Sequence, residues 1–179
     1  RRAAAISRLA SAVGLPVMLG LASATAFANT VEWSATPADG TWETGTNWVG
    51  NTAPGATTGT TNTDTAVFDA PSTTMAILPD ANRNLQNIIF DLTAPSGYAI
   101  GTTAGNGLLL TAGGSIQIAS TLTSAVRTEN VNAPLTLEGD YTFADYHTNQ
   151  YDVLKIGGTV TSGATSGVTT LTLISNKIE

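Results

Sequence analysis

The segment 108–120, LLLTAGGSIQIAS, sets the pattern of the chain by placing two apolar triplets on either side of a Gly pair. In IQI and most of the related triplets the middle residue is polar, so alternate side chains point to one buried side of a strand. Gly, Ser, Thr or Asn follows each triplet and favours a turn. The pattern predicts short β-strands joined by tight turns. The other triplets begin at Ile88, Leu135, Leu154 and Leu171.

The spacing of the triplets distinguishes two all-β architectures. The starts at Ile116, Leu135, Leu154 and Leu171 recur at intervals of about 17 to 19 residues. A β-helix with coils of about 20 residues gives this spacing, because each coil repeats the same strands. A β-sandwich, in which hairpins join strands at markedly shorter intervals, is the alternative. We predict an all-β chain whose residues 85–179 form the first coils of a right-handed parallel β-helix that continues beyond residue 179.

Composition supports extended structure and argues against helix. Residues 29–179 contain 30 threonines, and the chain has no cysteine. Threonine is β-branched and fits a pleated strand, whereas no stretch after residue 28 repeats apolar residues at helical spacing for three turns. The absence of cysteine removes disulfides, thiolate metal sites and cysteine nucleophiles from consideration.

Residues 1–28 have the layout of a cleaved secretory signal peptide. Arg1, Arg2 and Arg8 form a basic start, an apolar run follows, and Ala26 and Ala28 occupy the A-x-A cleavage positions. Cleavage after Ala28 predicts an extracellular or outer cell-surface location. It leaves four Lys/Arg against 13 Asp/Glu, a formal charge of −9. Such an acidic chain is repelled by nucleic acid and by anionic lipid, so membrane attachment is expected only through a segment outside this chain.

All the tryptophans, Trp33, Trp42 and Trp48, lie in one Gly/Thr-rich segment. Exposed in a row, they would stack on sugar rings, and a carbohydrate-binding module using Trp42 and Trp48 is one hypothesis. Buried, they would cover the apolar end of the first coil, which has no neighbour on one side. The nearby Val31, Val67 and Phe68 favour burial. We predict that residues 29–84 form a cap that includes a low-complexity hinge, GATTGTTNTD.

Carboxylates give the main argument for an enzyme. Glu138 and Asp140 alternate in LEGDY, and an acid pair suits glycoside hydrolysis, whereas a lyase would need a base such as Lys155. A polysaccharide-active hydrolase or lyase is therefore the alternative function. The single histidine, His147, is interpreted as an exposed loop residue. Asp64 and Asp69 are interpreted as turn and strand-end residues rather than calcium ligands.

The ordered segments GTWETGTNWVGNTAPG, DTAVFDAP and LQNIIFD, with the strands behind them, resemble the opening of secreted bacterial proteins with autotransporter-associated β-strand repeats. The resemblance covers residues 33–174 and implies a β-helix passenger without catalytic residues. We therefore expect an exported structural or adhesin-like protein that is not an enzyme. No catalytic residue, metal ligand or cofactor is predicted, and the expected partners are surface glycans or envelope components.

Overall fold

A computed structural model describes residues 28–91, 97–121, 128–148, 151–164, 169–175 and 178. The predicted signal peptide lies outside these residues except for Ala28. The described part contains twelve β-strands, one short 3₁₀ helix at Gly45–Asn47 and no α-helix. The strands are β1 Thr30–Glu32, β2 Thr65–Phe68, β3 Ala76–Ile77, β4 Arg83–Phe90, β5 Ala99–Ile100, β6 Leu108–Ile118, β7 Thr128–Val131, β8 Leu135–Leu137, β9 Tyr141–Asp145, β10 Val153–Ile156, β11 Val160–Ser162 and β12 Leu171–Ile174.

The strands stack as a parallel β-solenoid of about three turns. Every pairing between two of these strands is parallel, and the pairs form three ladders. The first ladder joins residues 83–85 of β4, 108–110 of β6, β8 and β11. The second joins β1, β2, residues 87–90 of β4, 115–118 of β6, β9 and β12. The third joins β3, β5, β7 and β10.

The prediction of a β-helix is confirmed, and the alternative of a β-sandwich is wrong. A sandwich of hairpins requires antiparallel pairs, whereas antiparallel contacts in the described residues are isolated bridges such as Ala56 with Asn84. Tight hairpin turns join antiparallel neighbours, whereas a parallel neighbour is reached only after the chain has crossed over. The predicted cap segment also contributes to this stack, since β1 and β2 belong to the second ladder.

The coil is longer than the spacing of the triplets predicted. Leu108 pairs with Leu135 and Ile116 with Phe143, so this turn takes 27 residues in both ladders, and from β2 onward the turns range from 22 to 31 residues. Triplets at the shorter spacing therefore belong to different ladders: Ile116 lies in the second ladder and Leu135 in the first. One strand lies between each pair of successive starts, so the even spacing reflected steps of about two thirds of a turn and not whole coils.

Inward positions of the second ladder form continuous apolar columns. Val31, Ala66, Ile88, Ile116 and Phe143 occupy the same register position, and all are buried. The neighbouring outward column is hydroxyl- and amide-rich: Asn87 donates from Nδ2 to Thr65 Oγ1 at 3.1 Å and accepts from the Ser115 N–H at 2.9 Å. Apolar burial and the hydrogen-bonded ladders together stabilise the stack.

The residues between 33 and 56 cover the first strand edge of each ladder. In the second ladder, the Val49 N–H donates to Glu32 O at 2.9 Å and Trp48 bridges Trp33. In the third, the Trp42 N–H donates to Leu78 O, just after β3, at 3.0 Å. In the first, Ala56 and Asn84 exchange two backbone hydrogen bonds of 3.0 and 2.8 Å. Edge groups that would otherwise lack strand partners are thereby paired.

The segment predicted to be a hinge is anchored in the structure. Asp64 accepts hydrogen bonds from the Asn29 N–H at 3.0 Å and from the Gly55 N–H at 2.8 Å. Asn62 donates its N–H to Thr111 Oγ1 at 2.8 Å. Asp64 is thus a buried residue that ties the two ends of this loop together. Its carboxylate holds backbone N–H groups at the entrance to β2, in agreement with the turn interpretation.

Candidate functional site

The three tryptophans form one aromatic cluster with Phe68. The ring centroids of Trp33 and Trp48 are 5.0 Å apart at an interplanar angle of 87°, and those of Trp42 and Trp48 are 4.9 Å apart. Phe68 lies 5.8 to 6.3 Å from all three indoles and continues the cluster to Phe90 at 5.6 Å. Edge-on and tilted contacts of this kind are favourable between aromatic rings.

The indoles are sealed from solvent. Trp33, Trp42 and Trp48 are 1%, 0% and 1% exposed. Their Nε1–H groups donate to the carbonyls of Thr74 at 2.9 Å, Pro54 at 3.0 Å and Trp42 at 2.7 Å. A sugar-stacking platform requires exposed ring faces, and these three rings offer none. Their position instead covers the apolar end of the second ladder.

Asn47 fixes the loop that carries the cluster. Its side chain is fully buried, and Oδ1 accepts from the N–H of Ala38 at 2.8 Å. Nδ2 donates to Asp39 Oδ1 at 2.7 Å and to Thr41 O at 2.8 Å. Hydrogen bonds from the Thr41 N–H and then from Asn47 hold the pKa of Asp39 below its ordinary value. The side-chain amide of Asn47 therefore holds residues 38–41 against the short 3₁₀ helix in which Asn47 lies.

A surface cleft lies beside the corner between the first and second ladders. Its volume is about 370 Å³, and Glu138 is the one ionisable side chain among the described residues that line it. Glu138 is half-buried, and its N–H donates to Leu110 O at 2.9 Å. The other lining residues are small or hydroxylated: Thr60, Thr61, Thr111, Ala112, Gly163 and Ala164.

The acid and base residues considered from the sequence have different surroundings in the structure. Residues 138 and 139 form a bend between β8 and β9, so the strand alternation expected of LEGDY does not apply. Asp140 Oδ1 accepts a hydrogen bond from the Thr170 N–H at 2.7 Å, which ties it to the start of β12. Lys155 is exposed on β10 in the third ladder, while Glu138 follows β8 of the first.

A buried acidic cluster was missed by sequence reasoning. Asp145 is 3% exposed and is the register partner of Ile118, in a column that also holds Phe68 and Phe90. Asp152 is fully buried and contacts His147 Nδ1. The interpretation of His147 as an exposed loop residue is wrong, since its side chain is only 12% exposed.

The electrostatics of this cluster follow from burial. Burial raises the pKa of Asp145 above its ordinary value; the backbone N–H of His147, bonded to Asp145 Oδ1 at 3.1 Å, lowers it, and nearby Asp152 raises it. No described residue hydrogen-bonds to Asp145 Oδ2. The signal in the sequence was the alternation of Tyr141, Phe143 and Asp145, which places residue 145 on the buried side of its strand.

Comparison with protein-family models, curated proteins and solved structures found no match. Within the described residues, no group of three or more His, Cys, Asp or Glu side chains is arranged to hold a metal ion. The same residues include no helix of the length and apolarity needed to cross a membrane.

Proposed function

We propose that this chain is an exported, non-catalytic structural protein of the cell surface or the extracellular medium, of the adhesin-like β-helix passenger type. The observation that carries the proposal is the parallel stack whose three ladders all begin under one tryptophan-bearing cap. Such a stack presents repetitive outer surfaces, which solenoid proteins use for contacts. The three tryptophans are buried in the cap, and Asp140 accepts a hydrogen bond from the Thr170 N–H at the start of β12.

Two sequence features support export. The basic start, apolar run and Ala26-x-Ala28 ending of residues 1–28 have the order of a secretory signal, and the remaining chain is acidic and free of cysteine. The resemblance to proteins with autotransporter-associated β-strand repeats agrees with this, because those proteins are secreted. A surface role would use the Thr-rich outward columns to contact glycans or envelope components.

Export is tested by expressing the 179-residue chain with a carboxyl-terminal tag in a Gram-negative host. We expect the exported protein to begin at Asn29 when its amino terminus is sequenced. Replacing Ala26 and Ala28 by Lys should block cleavage, whereas the matched change Ala35→Lys, at an exposed position, should not. Retention of an uncleaved wild-type chain in the cytoplasm would overturn the export part of the proposal.

The non-catalytic part is tested separately on the purified chain. Neutral and acidic polysaccharides are incubated with it, and new reducing ends and unsaturated products are measured. We expect no increase over buffer. Product formation that disappears in Glu138→Gln or Asp140→Asn would instead establish the polysaccharide-active alternative.

A further inference from the structure

The Glu138 cleft has preformed walls. One wall is the loop carrying Thr60 and Thr61, and it is held to the solenoid through Asn62, whose N–H donates to Thr111 Oγ1 at 2.8 Å. Thr111 in turn donates to Asn84 Oδ1 at 2.9 Å in the interior. A ligand entering the cleft therefore does not need to order this wall, which lowers the entropy cost of binding.

Gly163 lies beside the Glu138 carboxylate in the lining of the cleft. A Cβ atom built on Gly163 would lie 2.6 Å from Glu138 Oε1, so the absence of a side chain at Gly163 makes room for the carboxylate. Ala112 and Ala164 add small apolar surface beside it. The cleft of about 370 Å³ is within the usual size range of small-ligand sites.

The lining chemistry selects the class of ligand. The Glu138 carboxylate accepts hydrogen bonds, and the hydroxyls of Thr60 and Thr61 can both donate and accept, whereas the Thr111 hydroxyl already donates to Asn84. Sugar hydroxyls have the same dual character, and a carboxylate binds them by charge-assisted hydrogen bonds. A second anion is disfavoured by Glu138 and by the formal charge of −9 on residues 29–179. A lone ammonium group would use the carboxylate but leave most of the hydroxyl lining unused.

We propose that the cleft formed by Thr60, Thr61, Thr111, Ala112, Glu138, Gly163 and Ala164 binds a neutral saccharide, with ligand hydroxyls donating to Glu138. The proposal rests on the surface function above for its biological setting. It differs from the aromatic-platform hypothesis, because the proposed contacts between the saccharide and the cleft are polar and no tryptophan takes part.

Isothermal titration of the exported chain with cellohexaose, maltohexaose and mannohexaose tests the proposal, with tetragalacturonate as the acidic comparison and tetrameric chitosan as the cationic one. We expect at least one neutral hexasaccharide to bind and tetragalacturonate not to bind. Glu138→Gln should weaken the neutral ligand by about tenfold, as loss of one charge-assisted hydrogen bond predicts. Gly163→Ala, which crowds the carboxylate, should weaken it in the same direction.

Glu32→Gln is the matched control, because Glu32 is exposed on β1 and the change removes the same charge. It should bind like the wild type. Failure of all three neutral hexasaccharides to bind, equal weakening by Glu32→Gln and Glu138→Gln, or binding of chitosan alone would each overturn the proposal. Circular dichroism of every variant separates these outcomes from failure of the scaffold, because an intact β spectrum with no saccharide binding refutes only the cleft.

Discussion

Leu173 is the register partner of Phe143 in the parallel pair of β12 and β9, yet Leu173 is 60% exposed and Phe143 only 2%. The two side chains occupy the same inward column. They differ in their neighbouring strands: β9 lies between β6 and β12, whereas no described strand pairs with the outer edge of β12. The opposite end of the second ladder is covered by Trp33, Trp42 and Trp48. Within the described residues the second ladder is therefore covered at one end and open at the other.

This difference predicts unequal costs for the same kind of truncation. Phe143→Ala should lower the free energy of unfolding by about 3 to 5 kcal/mol, because it removes buried apolar surface and leaves a cavity. Leu173→Ala should change it by less than about 1 kcal/mol, since most of that side chain is already in water. Urea unfolding followed by circular dichroism measures both. Equal losses would show that β12 is covered in solution.

Burial of the tryptophans predicts their fluorescence. The folded chain should emit at a short wavelength, acrylamide should quench it weakly, and unfolding should shift the emission to the red. Trp42→Ala should cost about 3 to 5 kcal/mol in unfolding free energy, because its ring is fully buried and its N–H is bonded to Pro54 O. Addition of oligosaccharides should leave the emission unchanged. Strong quenching of the native chain would contradict the burial.

The structure also separates what sequence pattern can predict from what it cannot. Alternation identified residues such as Ile116 and Ile118 as inward-facing because a strand places every second side chain on one side. It did not reveal which triplets stack. In β6, Leu108 and Ile116 lie on one continuous strand but in different ladders, because residues 111–114 face the single residue Gln86. The lengths of the loops and register shifts within strands set the number of residues in each coil. Neither feature has a strong signal in the sequence.

The buried acids show a second limit. Aspartate is a residue type expected at the surface, because an isolated carboxylate is costly to bury, yet Asp145 is buried. It is buried because alternation after Tyr141 and Phe143 places it in the inward column, where its register partner is Ile118. The cap was easier to predict, since three large aromatic residues ahead of a repetitive region need cover. The way in which the loop carrying the tryptophans is fixed was not predictable, because it depends on the side-chain amide of Asn47.

Asn47→Asp should destabilise the cap strongly. The new carboxylate would replace the Nδ2 donor and lie beside Asp39 Oδ1 and Thr41 O, two acceptors that Nδ2 now satisfies at 2.7 and 2.8 Å. A loss of about 2 to 4 kcal/mol in unfolding free energy is expected from unsatisfied buried groups and like-charge repulsion. Asn51→Asp is the control, because Asn51 is exposed and its positive φ of 58° suits either residue. Comparable losses in the two variants would contradict the role of Asn47.

Alkaline unfolding should depend on Tyr141. Burial raises the pKa of its phenol above the ordinary value of about 10, and its hydroxyl donates to Gln86 O at 2.7 Å. Above pH 10 the unfolded chain releases this proton while the folded chain keeps it. The unfolded state then binds fewer protons, so stability falls as pH rises, by up to about 1.4 kcal/mol per pH unit for this group.

Tyr141→Phe removes that component and also the hydrogen bond to Gln86. At pH 7 the variant should therefore be less stable than the wild type by about 1 to 3 kcal/mol. The difference should narrow between pH 10 and 11.5, because only the wild type carries the Tyr141 ionisation penalty. Urea unfolding at pH 7, 9, 10.5 and 11.5 measures the trend. A constant difference across this range would mean that the phenol at position 141 ionises in the folded chain, contrary to its burial beneath β12.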